Sequence, residues 1–161
     1  MRDSKLETSG TMVAFYEREF YCFSNFSSFT VRWRNRLWLT SEHAYHAAKF
    51  MDTHPKIVEE IFNAQSAHEA LQIAKRNKHL IPKNWDDRKV SVMEDICWHK
   101  LLQHPYIQKK LSQTRGKTIV EDSPTDSFWG WGPDRKGRNE LGKIWMRIRE
   151  TAFCIEDLAS T

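Results

Sequence analysis

Apolar and polar residues first alternate regularly where Phe29, Val31 and Trp33 take turns with Thr30, Arg32 and Arg34, the pattern of a strand with one buried face. Asn35-Arg36 then reads as a turn into Leu37, Trp38 and Leu39, which predicts a small β-hairpin near the N-terminus. Val13 to Phe15 predicts an earlier strand and Thr118 to Val120 a later one. Helical spacing dominates elsewhere. Thr40 or Ser41 caps a helix to about Met51, Pro55 opens a second through Phe62, and Ser66 with Glu69 has capping-box spacing ahead of a third to about Lys75. The longest periodic segment runs from about Asn84 to Gln103, with Val90, Met93, Ile96, Cys97, Lys100 and Leu101 at spacings of three and four, until Pro105 interrupts it. Ile107 and Leu111 predict another turn or two. A last helix is predicted over Asn139–Phe153, with Leu141, Ile144, Trp145 and Ile148 on one face. The class that follows is α+β and helix-dominated, with residues 13–153 as one domain between a flexible leader (1–12) and a tail (154–161).

Composition narrows this picture. A chain of 161 residues suits one domain, and 40% hydrophobic with 12% aromatic residues excludes a disordered chain. No run approaches the roughly 18 to 20 apolar residues of a membrane helix, and the first eleven residues hold no apolar run that would serve as a signal peptide. The expectation is a cytoplasmic protein with no membrane partner. Cys22, Cys97 and Cys154 lie singly, without metal or disulfide spacing, and read as reduced structural thiols. The net charge is +4, and residues 105–149 alone carry ten Lys and Arg against five Asp and Glu, leaving 15 and 16 elsewhere. That bias favours a phosphate-bearing partner.

Three regions can carry chemistry. In TSEHAYHAAKF (40–50), Glu42 and Lys49 are seven residues apart, within about 20° of the same direction on a helix. Glu42, Tyr45, His46 and Lys49 then form one polar stripe, either lining a partly buried pocket that shifts their pKa values or lying on a solvated face as a helical ion pair. The Glu-His-x-x-His string is neither familiar zincin order, so no metal is expected. The second region, DSPTDSFWGWGPDRKGRN (122–139), sets Gly130, Gly132, Pro133 and Gly137 among Trp129, Trp131, Arg135, Lys136 and Arg138, just ahead of a helix. Glycines admit close backbone approach, tryptophans offer flat faces, and helix N-terminal amides suit phosphate, which together describe a nucleotide-shaped site. A structural turn pinned by aromatic packing fits the same residues. The third comprises FSNF (23–26), whose Asn25 either holds a loop or faces a ligand, and Asn84-Trp85-Asp86, whose Trp85 is either core or a ligand platform.

In order, FSNF (23–26), TSEHAYHAAKF (40–50), NWDDRKVSVM (84–93) and VEDSPTDSFWGWGPDRKGRNELGKIWMRIR (120–149) resemble the NADAR (YbiA-like) family over about residues 13–153. The resemblance implies a mostly helical α+β domain acting as an N-glycosidase, cleaving ribose C1′ from nitrogen without cofactor or metal. Two substrate classes are implied. One is ADP-ribose on the guanine amino group of nucleic acid, with a cognate ADP-ribosyltransferase as partner. The other is the phosphorylated ribosylamine intermediates of riboflavin biosynthesis. Matched block by block, Glu42 takes the family's glutamate, Lys49 its lysine, Asp126 and Trp129 its D-x-x-W-G block, Asn139 its G-x-N and Trp85 its N/D-W block. Glu42, Lys49 and Asp126 are thus implied as catalytic. Asn25, Tyr45, His46, Trp85, Trp129, Gly130, Gly132, Arg138 and Asn139 are implied as substrate-binding. His46-Ala47-Ala48 departs from the family's frequent Gln-Ala-Gln, and Asn35-Arg36 from its Asp-Gly turn. A non-catalytic ADP-ribose or NAD module is the second expectation, and a basic nucleic-acid binder stacking on Trp129 and Trp131 the third.

Overall fold

The computed structural model describes residues 8–159, which divide into two compact units, one of residues 25–104 and one of 8–24 with 105–159. The expected leader falls mostly on residues 1–7, outside the described residues.

In the first of these, 25–104, β3 (Val31–Trp33) and β4 (Arg36–Trp38) form an antiparallel hairpin in which Trp33 faces Arg36, so the two-residue turn is Arg34-Asn35. The sequence placed it one residue later. Both turn residues have positive φ, 47° and 61°, the geometry whose twist matches a tight hairpin. Asn tolerates this readily, whereas Arg34 gains a cation–π contact with its guanidinium 4.4 Å from the Trp33 ring centre. Four helices follow: α1 (Ser41–Ala48), α2 (Pro55–Phe62), α3 (Ala67–Arg76) and α4 (Trp85–Gln103). Thr40 caps α1 by accepting from the His43 amide, and Ser66 caps α3 by accepting from that of Glu69. α1 packs against α2, α3 and α4, and Trp33, Trp38, Ala44, Ala47, Phe50, Ile61, Ile73, Met93 and Ile96 fill the space between the elements. It ends three residues before the expected Met51. From Lys49 onward the amides reach back only three residues, Lys49 to His46 and Phe50 to Ala47, so the last turn tightens.

In the other unit, β2 (Met12–Phe15) lies between β1 (Thr8–Ser9), antiparallel to it, and β5 (Thr118–Glu121), parallel to it. β1 falls inside the expected leader. α5 (Pro105–Ser112) buries Ile107 and Leu111. α6 (Glu140–Ala159) packs on β5 with Leu141, Ile144, Trp145 and Ile148 fully buried, the predicted face. It runs six residues past the expected end, and so occupies most of the expected tail. A 3-10 turn over Arg18–Phe23, which no apolar period announced, brings Phe23 against Trp145, whose indole N–H donates to the Phe23 carbonyl at 3.0 Å. The α+β, helix-dominated class holds. Cys22 and Cys97 are buried free thiols and Cys154 is exposed. Among the described residues no helix is long and apolar enough to cross a membrane.

Candidate active site

All eight residues of α1 are buried, which removes the solvated-face alternative for its polar stripe. A carboxylate and an imidazole held out of water need partners, and the part-buried amine of Lys49 lies on the same face. Glu42 Oε1 lies 2.6 Å from His46 Nε2, and His46 Nδ1 lies 2.9 Å from Lys49 Nζ. The carboxylate accepts, so Nε2 carries the ring proton, and Nδ1 is the acceptor for the lysine. Helical repetition places the three at i, i+4 and i+7, and the αR conformation of Lys49 beyond the helix end keeps it on the same face.

Burial lowers the Lys49 pKa to about 8. Glu42 opposes that fall and Lys89 of α4 adds to it. A minor fraction of the amine, about a tenth at pH 7, is therefore neutral, far more than for an ordinary lysine. Its Nζ also stands 4.8 Å from the Tyr45 ring centre, and Tyr45 in turn packs at 5.5 Å on Trp85, the first residue of α4. Trp85 is 6% exposed and forms the wall behind Tyr45. His46 was expected to line the substrate, yet both its ring nitrogens are committed to Glu42 and Lys49, and it is 3% exposed. It is the bridge between the acid and the amine.

Asn25 enters from the loop before β3. Its carbonyl accepts from the Glu42 amide at 3.1 Å, while its buried side-chain Oδ1 has no partner among the described residues. Ser41 Oγ, one residue ahead of Glu42, is likewise buried and unpartnered. An orphaned buried polar atom costs about 1–3 kcal/mol, and two of them lie in the segments that flank Glu42. Ser41 was not singled out from the sequence. No periodic or spacing signal distinguishes it from the adjacent cap, Thr40. Nor was the role of Lys100 legible: fully buried, its Nζ donates to Ser27 Oγ at 3.0 Å and anchors the Asn25 loop to α4.

His43, the other histidine of the string, bridges Thr40 Oγ1 at 2.8 Å and the Ala64 carbonyl at 3.1 Å. Desolvation lowers its pKa, so it is a neutral strut in the helix packing.

The loop 122–139 belongs to the other unit and is built differently. Asp126, expected to be catalytic, accepts through Oδ1 from the amides of Phe128 (2.8 Å) and Trp129 (2.7 Å), and its own amide donates to Ser123 Oγ. That carboxylate shapes a turn. Asn139, expected to bind substrate, instead braces β5: Nδ2 donates to the Ile119 carbonyl and Oδ1 accepts from the Glu121 amide, both at 2.9 Å. Its φ of 53° lets the chain turn from that brace straight into α6. The amides of Glu140 and Leu141, at the start of α6, donate to the Phe128 and Trp129 carbonyls, so they are not free to hold phosphate. At Gly130 and Gly132 what approaches the backbone is the protein itself. A Cβ on Gly130 would sit 2.7 Å from the Glu121 carbonyl, and one on Gly132, at φ +69°, 2.3 Å from Ser127 Oγ. Arg138 pairs with Glu140 at 3.0 Å and lies over the Phe128 ring, and Arg135 pairs with Asp122. Trp129 remains half-buried with its ring edge-to-face against Phe128.

Residues 14–152 match the NADAR domain family model. The chain is 37% identical over 130 residues to an N-glycosidase of Nostoc punctiforme, a match covering 80% of this chain and 83% of that one. It is 33% identical over 142 residues to N-glycosidase YbiA of Escherichia coli, covering 87% and 88%. It is 35% identical over 127 residues to a riboflavin biosynthesis protein of Vibrio vulnificus, covering 79% of this chain and 34% of that longer one. The solution structure of Escherichia coli YbiA superposes with a TM-score of 0.82 at 33% identity, covering 94% of this chain and 89% of that one.

Proposed function

The chain belongs to the NADAR family, two of the relatives named above are N-glycosidases, and from that premise we propose that it hydrolyses the bond between ribose C1′ and an exocyclic amine, with Lys49 as nucleophile and Glu42 as proton carrier. The observation that carries this is the buried chain Glu42–His46–Lys49, which joins an acid to an amine of lowered pKa through one imidazole. A 1-amino sugar opens to an imine. The Lys49 ammonium first gives one proton to Glu42; neutral Nζ then adds to C1′, forming a C–N bond and shedding a second proton, and the leaving nitrogen takes both as the C1′–N bond breaks and departs as a neutral amine. The protonated Schiff base left on Lys49 then takes up water, releasing the ribose aldehyde and restoring the ammonium. No proton is gained or lost over the cycle. Asn25 Oδ1 and Ser41 Oγ, the orphaned polar atoms, receive the ribose hydroxyls.

The first substrate reading is ADP-ribose removed from the guanine amino group of nucleic acid, which would make an ADP-ribosyltransferase the partner that creates the substrate. The names of the relatives support a second, a phosphorylated ribosylamine of riboflavin biosynthesis, since one of them is a riboflavin biosynthesis protein. Both present a phosphorylated ribose on an exocyclic amine. Borohydride added during turnover with each substrate, followed by mass spectrometry, tests the mechanism and the choice together. The expected result is a ribosyl adduct on Lys49 with one substrate, and a rate that rises with pH to about 8 as the amine deprotonates. Turnover with no adduct at Lys49 would remove the Schiff base and leave direct hydrolysis assisted by Glu42.

A further inference from the structure

Residues 25–30, which lead into β3, form neither helix nor strand, so their place is set by whatever fastens them. At one end the Asn25 carbonyl accepts from the Glu42 amide at 3.1 Å. Beyond it the C-terminal half of α4 fastens the segment in order. Lys100 Nζ donates to Ser27 Oγ at 3.0 Å. His104, just past the helix, lies with Nε2 2.6 Å from the Thr30 carbonyl, and its ring meets Phe29 edge-on at 5.1 Å. Gln103 holds the Arg32 amide at 2.7 Å and the Arg32 carbonyl at 2.9 Å. Of these ties from α4 the one through Lys100 is nearest to Asn25, two residues away.

Lysine is almost never fully buried unless its head is paired. Lys100 is fully buried, on the face of α4 that also buries Met93, Ile96 and Cys97. An apolar side chain would fill that place without the cost of drying an amine. What the lysine adds is direction. Its Nζ stands 5.6 Å from the Phe29 ring centre as well as on Ser27, so a donor fixed by helix packing meets the irregular segment at two of its residues. Asn25 needs fixing from outside, because its buried Oδ1 has no partner among the described residues to hold it.

We infer that Lys100 is a positioning residue for the glycosidase reaction: by holding Ser27 it keeps the Asn25 carbonyl on the Glu42 amide and presents Asn25 Oδ1 to the substrate. The inference rests on the reading above in which that oxygen receives a substrate hydroxyl. It adds a residue that touches no reacting group and sets how tightly the sugar is held.

The test has two arms, both on the full chain. Native-state hydrogen exchange, read by NMR without substrate, follows the Glu42 amide against the Ala47 amide of the same helix. Lys100→Met removes the tie, and Ser27→Ala removes the same hydrogen bond from the other side, which guards against a lysine variant that fails to fold. In both, the Glu42 amide is expected to exchange about tenfold faster relative to that of Ala47, the protection one hydrogen bond confers. Equal acceleration of the two amides would mean that the variants merely loosen the fold, and would overturn the inference. So would the same shift in Gln103→Ala, which releases Arg32 instead and is expected to leave the ratio as in wild type. The second arm is steady-state kinetics with the two ribosyl substrates proposed above, in a double-mutant cycle with Asn25→Ala. Asn25→Ala is expected to raise KM about tenfold, and Lys100→Met about fivefold with kcat within about threefold of wild type. Added to Asn25→Ala, Lys100→Met is expected to raise KM by less than about twofold, because the group it positions is already gone. The full fivefold rise in that background would overturn the inference. Turnover of neither substrate together with the expected exchange shift would sink the glycosidase reading alone. Turnover with an unmoved exchange ratio would sink the role of Lys100 alone.

Discussion

Helix α1 and the loop 122–139 look equally functional as strings, but they treat their polar atoms in opposite ways. In the loop, Asp126, Asn139 and Arg135 each meet a group of the protein itself, and the first amides of α6 are spent on loop carbonyls. In α1 and the Asn25 segment beside it, an acid and an amine share an imidazole while Asn25 Oδ1 and Ser41 Oγ go without partners. A polar group satisfied by its own fold stabilises that fold, and one left unsatisfied in a buried place is stability given up for something else. By that measure the loop frames the protein, and α1 is where the proposed chemistry falls.

Glu42→Gln should break the comparison most forcefully on the acting side, lowering kcat by about 10²-fold or more while the melting temperature stays near that of wild type. Steady-state rates with circular dichroism melts check both halves, and wild-type turnover in this variant would take the glutamate out of the mechanism. Asn139→Ala should do the reverse. It strips β5 of a donor to Ile119 and an acceptor for Glu121, at a cost of about 2 kcal/mol in urea unfolding, and its effect on kcat per folded molecule should be small.

His46 tests how the acting residues depend on each other. His46→Leu should lower kcat by about tenfold, and His46→Gln, whose amide can donate to Glu42 and accept from Lys49, should recover most of that loss. Equal activity in both would mean that the bridge does not matter. The smallest effect is one of sign. With its folded pKa near 8 and an ordinary value of 10.5, Lys49 burdens the fold fully below pH 8, progressively less between 8 and 10.5, and not at all above. Lys49→Met should therefore be inactive yet more stable by about 1 kcal/mol at pH 7, an advantage that thermal melts should show shrinking as pH approaches 10.5.

Much of this was legible in the chain because it is local. Thr40 and Ser66 cap the helices they were expected to cap, Pro55 opens α2, and the stripe of Glu42, His46 and Lys49 follows from helical spacing alone. Pattern also fixed which face of α6 is buried. What the tertiary structure decided is how each polar atom is spent, because that depends on residues distant in sequence. Asn139 braces a strand twenty residues earlier, Lys100 reaches Ser27, and β2 finds β5 across a hundred residues. Helix periodicity constrains direction to within a few tens of degrees. Burial and partnership, which set pKa values and mark the vacant acceptors, arise only when separate segments exclude water from the same place.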